Sequence, residues 1–121
     1  MNMAQLSEQE LHQLAMNIVG KELENDGFEF LAVNSKLKKN PQFVAIKEKQ
    51  LHFVVVRAVM YPNDPKEYDA NVINKVRDHA SKFEAITHFA GVGLANSSDY
   101  DKPLDSDSDY VVNYSGLELI E

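Results

Sequence analysis

Few side chains in this sequence are of a type and spacing that could do chemistry. Arg57 closes the apolar run Phe53 to Val56. A guanidinium there could hold an anion, or it could pack its stem and send its head to an acid or to water; the second use suits a lone strand arginine better. Lys36, Lys38 and Lys39 share one short stretch and could touch phosphates, although a lysine-rich loop is first of all a solvated turn. Asp105, Asp107 and Asp109 imitate the alternating acids that open a calcium loop. Tyr110 then stands where that loop needs glycine, and Gly116 where it needs a bidentate glutamate, so no dedicated Ca²⁺ site is expected in the 99–109 region. His12, His52, His79 and His88 form no His-x-His or His-Glu-x-x-His pair, so the spacing of metal ligands is missing. Gly91 and Gly93 lack the third glycine and the following helix of a nucleotide fingerprint; a strand that needs close backbone approach explains them better. There are no cysteines, which removes disulfides, thiolate zinc sites and cysteine nucleophiles together.

The chain that must position these groups has 121 residues, 44% hydrophobic and 26% charged. That suits a single domain over 1–121 with one packed unit. Residues 1–60 hold seven acids and seven bases, whereas 61–121 hold twelve acids and five bases, so the whole net charge of -7 lies in the second half. Such a balance argues against a nucleic-acid partner, which wants a basic stripe. No apolar run approaches a membrane span, and the start from Met1 to Gln5 has no basic residue leading into an apolar stretch. The expected setting is cytoplasmic, with no membrane partner.

Two helices flank the strands. Ser7 and Glu10 read as a capping box, with Leu6 and Leu11 as a hydrophobic staple. Leu11, Leu14, Ala15, Ile18, Val19 and Leu23 follow at helical spacing, and Gly27 is placed to stop a helix over about 8–25. Residues 28–33 are mostly apolar on both faces, which suits a covered central strand. A short strand over 43–46 and the strong strand 51–59 flank the polar turn from Lys47 to Gln50, which predicts a hairpin. Asp64 and Pro65 look like a helix start, with Asp69 as a rival cap. The stripe Val72, Ile73, Val76, Ala80, Phe83 and Ile86 extends that helix over 66–86. Strands over 88–94, 109–114 and 117–120 follow, the last two read as a hairpin around Ser115 and Gly116. The expected fold is α/β: a mixed central sheet with two flanking helices, in the order α-β-β-β-α-β plus a C-terminal β-hairpin. The expected core includes Leu14, Ile18, Phe30, Val54, Val56, Val76 and Phe83. His12 and His79 are expected at the solvent edge of their helices.

That order, with the segments Phe28 to Asn34, Gln42 to Ile46, Phe53 to Arg57 and Ser108 to Val112, resembles the PD-(D/E)XK nuclease-like superfamily. These are the restriction-endonuclease-like proteins, and the closest likeness is to the small members related to Holliday-junction resolvases. The resemblance implies a strand opening with a catalytic Asp, then a strand reading roughly Phe-Val-Glu-Val-Lys. It places Gln42 at the Asp, Val55 at the Glu and Arg57 at the Lys, with Glu22 or Glu24 as the helix acid. The departures are chemical. Val55 has no oxygen to offer Mg²⁺, Gln42 offers a neutral amide, and Arg57 stays protonated and cannot serve as a base. The resemblance therefore implies a degenerate, non-catalytic member with no metal and no cofactor, acting as a protein-interaction or structural module. Its partner would be a protein, self-association included, through exposed apolar residues such as Tyr61, Tyr68 or Tyr100. Two alternatives stand beside this reading. One is a metal-dependent nuclease with relocated acids, Glu22, Glu48 and Asp69 being the candidates; the other is an unrelated α/β domain that binds a small ligand.

Overall fold

A computed structural model describes residues 5–121; the stretch from Met1 to Ala4, read above for a leader, lies outside the described residues. The elements run α1 (Glu8–Asn25), β1 (Glu29–Val33), β2 (Phe43–Lys47), β3 (Gln50–Met60), α2 (Ala70–Ser81), β4 (Ile86–Asn96), β5 (Tyr110–Asn113) and β6 (Glu118–Ile120). The protein is thus α/β, with two helices on a mixed six-stranded sheet ordered β1-β2-β3-β4-β5, β6 also pairing with β4. No described helix is long and apolar enough to cross a membrane.

Both helices stop for the same backbone reason. At the end of α1 the Phe28 N–H donates to Leu23 O and the Gly27 N–H to Glu24 O, with Gly27 at φ 91°. At the end of α2 the Ala85 N–H donates to Ala80 O and the Glu84 N–H to Ser81 O, with Glu84 at φ 56°. Both are Schellman closures, but only the first uses the residue that takes the left-handed region cheaply. Because Glu84 advertises no stop, the sequence stripe runs too far: the expected helix 66–86 is the shorter α2. Its start moves as well. The Asp69 carboxylate accepts from the Asn71 and Val72 amides and caps the helix, while Asp64 Oδ1 accepts from the Lys66 N–H and holds a turn instead. The capping box on α1 forms as the sequence predicts, the Glu10 N–H donating to Ser7 Oγ and the Ser7 N–H to Glu10 Oε1.

The sheet buries both faces of β3. Val54 and Val56 pack with Ala15, Met16, Val19 and Leu23 of α1, and with Ala90, Val92 and Leu94 of β4. Phe53 and Val55 pack with Ile73, Val76 and Ala80 of α2 and with Phe89. β3 pairs antiparallel with β2 and parallel with β4, from His52 opposite Ile86 to Met60 opposite Leu94. The β2–β3 hairpin closes through Glu48 and Lys49, both at positive φ, as a two-residue primed turn requires.

Four expectations need correction. β1 is the edge strand, not a covered central one, and all five of its residues are exposed. A bulge at Leu31 puts Phe30 opposite Ala45 and Val33 opposite Phe43, which breaks the simple alternation read from sequence. Phe30 (37% exposed) and Phe83 (56% exposed) therefore leave the expected core. Phe30 lies on the edge, and Phe83 falls beyond the end of α2, its ring against Phe53 and His79. His12 is buried rather than at the solvent edge; His79 is exposed as expected. Finally, β5 and β6 do not pair with each other. They lie end to end along the outer edge of β4, β5 on Gly93 to Asn96 and β6 on Thr87 to Phe89, as one interrupted antiparallel strand.

Gly91 sets the position of the segment before α2. A Cβ there would overlap the carbonyl oxygen of Pro65. The glycine lets the Pro65 turn lie directly on β4, opposite Arg57, as the close-approach reading of Gly91 anticipates.

Candidate functional site

The backbone ladder between β2 and β3 stops at Gln42. Pro41 has no N–H to give. The last backbone bonds at this end are from the Gln42 N–H to Val54 O (3.0 Å) and from the Asn34 N–H to Gln42 O (2.8 Å). The next β3 donor, Val56 N–H, is buried and would be left unmet. Gln42 supplies the missing acceptor from its side chain, Oε1 at 2.7 Å. Its Nε2 donates to Lys39 O (3.1 Å) and Asn40 Oδ1 (3.0 Å), so the fully buried amide is completely spent on structure.

Arg57 joins the same network. Nη1 donates to Val56 O at 2.8 Å and lies 3.5 Å from Gln42 Oε1, and Nη2 donates to Asn40 Oδ1 at 2.8 Å. Every acceptor it meets is neutral. Among the described residues the one ion pair joins Arg77 to Asp78, so no carboxylate lies within 4 Å of the guanidinium. Burial pulls the Arg57 pKa down, and the field of Asp69 opposes that. The group stays charged all the same, because a guanidinium does not give up its proton in a protein.

Val55 and Arg57 form part of the wall of a cleft of about 290 Å³, closed by Lys38, Asn40, Tyr68, Asp69, Val72, Ile73 and Phe89. Of the three positions singled out by the resemblance, Val55 and Arg57 line this cleft, and Gln42 lies buried behind Arg57. Glu22 does not join them. It sits on α1, across the sheet, where its carboxylate neighbours Tyr114. Burial and then the charges of Glu22 and Asp26 push that phenol's pKa up, although the Tyr114 hydroxyl has no hydrogen bond of good geometry. Glu24 is exposed on the same helix, Glu48 is in the β2–β3 turn, and Asp69 caps α2. Among the described residues no three His, Cys, Asp or Glu side chains come together in a group able to hold a metal ion.

Of the three loop lysines, Lys38 reaches the cleft; Lys36 and Lys39 are exposed. Gln9 pins their loop to α1, donating to Ser35 O and accepting from the Leu37 N–H. The acidic loop is held by its own carboxylates. Asp105 Oδ1 accepts from the Asp107 N–H and Ser108 Oγ, Asp99 Oδ1 accepts from the Asp101 N–H, and Leu104 is buried in the core. The three tyrosines separate. Tyr61 and Tyr100 stack edge to face at 5.3 Å beside β5, while Tyr68 packs on Phe89 at 5.0 Å in the Arg57 cleft.

Sequence reasoning missed the histidines. His52 Nδ1 lies 2.8 Å from His88 Nε2, across β3 and β4, with the Phe28 ring edge-on to His52. Burial, then the neighbouring His52, push the His88 pKa down to about 4. Burial and then Lys47 lower that of His52. Burial and then Arg57 lower that of His12, neither of whose ring nitrogens has a partner among the described residues. The pattern that could have found His12 is His12-Ala15-Met16-Val19-Leu23, the helical face that is actually buried. The His52–His88 pair carried no local signal, because 36 positions separate the two residues.

A family model described as a domain of unknown function (DUF8840) matches residues 9–120, and the chain belongs to that family. A search of curated proteins finds no match.

Proposed function

For a member of that family built this way, we propose a non-enzymatic protein-interaction module on a nuclease-like scaffold, acting in the cytoplasm by associating with a second copy of itself. The scaffold reading is supported by the α-β-β-β-α-β order, and by Val55 and Arg57 lining one cleft with Gln42 buried behind Arg57. The non-catalytic reading is supported by the chemistry of those three groups. Val55 brings no carboxylate to the metal clamp that phosphodiester cleavage uses, the one acid lining the cleft, Asp69, is engaged in capping α2, and Gln42 is spent on Val56 and Asn40.

One observation carries the interaction: β1 is an open, apolar sheet edge. Leu31 is 60% and Val33 57% exposed, and beside them lies a hollow of about 450 Å³ whose apolar floor is Phe30, Phe43 and Met16 and whose rim carries polar α1 residues, Lys21 and Glu24 among them. Open apolar edges invite strand addition. The charges choose the occupant. Glu24, Asp26 and Glu29 precede or open β1, and Lys36, Lys38 and Lys39 follow it. A second copy pairing antiparallel about a two-fold axis brings acids against bases twice. The β5 edge, also apolar, adjoins the aspartate-rich loop 99–109, where like copies repel.

Sedimentation equilibrium tests this. A dimer that becomes a monomer in Leu31→Lys and Val33→Lys, with an unchanged far-ultraviolet circular dichroism spectrum, is the expected result. A wild-type protein still monomeric at ~1 mM removes the self-association. Incubation with branched and duplex DNA and Mg²⁺ tests the non-catalytic half: cleavage that disappears in Glu22→Ala would overturn it.

A further inference from the structure

The Arg57 cleft holds two positive charges, Arg57 and Lys38, against the single negative charge of Asp69. Taking a cation out of water is costly unless it is paired, and a well-packed strand usually places an acid beside it. Here the guanidinium meets two side-chain amides and a backbone carbonyl. Nε has no partner among the described residues, and Nη2 has used one of its two hydrogens. The fork that remains is what a planar carboxylate accepts from arginine. Opposite it, Tyr68, Val72, Ile73 and Phe89 form an apolar and aromatic wall. Lys38 adds a second positive charge at the rim, and Asp69 a negative one already bonded to the α2 amides.

We propose that this cleft is a binding site for a small organic monocarboxylate with an aryl or branched aliphatic body. The carboxylate meets the free guanidinium edge, and the body lies on Tyr68, Val72 and Phe89. Two cations against one acid favour a single negative charge over a dianion. A volume of about 290 Å³ lies at the lower end of the ~300–1,000 Å³ usual for ligand sites, which points to a small molecule rather than a polymer. The site is separate from the β1 edge and does not depend on self-association.

Isothermal titration calorimetry with sodium benzoate as the probe decides this, with benzamide as the uncharged match and inorganic phosphate as the compact anion. Benzoate is expected to saturate with a Kd of ~1 mM or tighter, and benzamide to show no binding. Val72→Trp fills the cleft without touching the Arg57 hydrogen bonds and should abolish the signal. Arg57→Lys keeps the charge but loses the fork, and should weaken binding at least ~10-fold. The site is refuted if benzoate fails to saturate by ~10 mM, or if it binds no better than benzamide. Phosphate binding more tightly than benzoate would refute the ligand class. Should either variant fail to fold, the comparison of benzoate with benzamide on the wild-type protein still decides.

Discussion

At the start of β3, His52 meets His88; towards its end, Arg57 meets Gln42 and Asn40. Both are polar insertions into an apolar strand whose centre, Val54 to Val56, is fully buried. The histidines solve burial by giving up charge: depressed pKa values leave two neutral rings, one able to donate to the other. The arginine has no such escape. It keeps its proton, and this end of the strand faces a cleft. The comparison teaches that half-buried polar groups on one strand meet burial differently: the titratable pair sheds its charge, whereas the arginine must have its charge met.

The largest effect should come from Gly91→Val, which drives a side chain into the Pro65 carbonyl and dislodges the wall carrying Tyr68 and Asp69. A loss of ~3 kcal/mol or more in a urea melt is expected, and loss of the cleft with it. Gln42→Leu should follow, at ~2–3 kcal/mol, because it strands the buried Val56 N–H. The matched change at the other end, His52→Phe with His88→Leu, should cost under ~1 kcal/mol, since both partners go at once. Equal losses at the two ends would break the comparison.

A pH series sharpens it. Unfolded histidine protonates near 6.5, whereas folded His88 holds off to about 4, so the native state binds fewer protons between those values. Its contribution is fully present above pH 6.5 and is lost as pH falls towards 4. Because the ring is only partly buried, ~1–2 kcal/mol is expected rather than the full value of the shift. Urea melts between pH 7 and 4.5 should show this slope, and His88→Leu should flatten it. The smallest effect is a gain. Glu84→Gly relieves the left-handed residue that closes α2 and should stabilise by up to ~1 kcal/mol in the same melts.

The parts of the fold legible in the sequence were those set by local chemistry. The Ser7 and Glu10 box, the Gly27 stop and the polar turn between β2 and β3 each depend on residues close in the chain. What failed depended on distant partners. β1 looks covered because four of its five residues are apolar, yet nothing in 28–33 says that no strand lies outside them. The run after Asn113 looks like a hairpin because Gly116 follows Ser115, yet β4 takes both pieces. At the cleft, register alone aligned Gln42, Val55 and Arg57. The use of the Gln42 side chain as a substitute for backbone could not be read until Pro41 was seen at the end of the ladder.

The central claim is that one strand carries a neutral histidine pair at one end and a charged arginine facing a cleft at the other. Side-chain ¹⁵N NMR on a single sample reads both. Between pH 7.5 and 5.5 the His88 ring should keep the nitrogen shifts of a neutral imidazole, while the Arg57 Nε–H signal moves saturably on addition of benzoate and the His52 and His88 signals stay in place. Imidazolium shifts at His88 by pH 6, or an Arg57 signal indifferent to benzoate, would contradict the account.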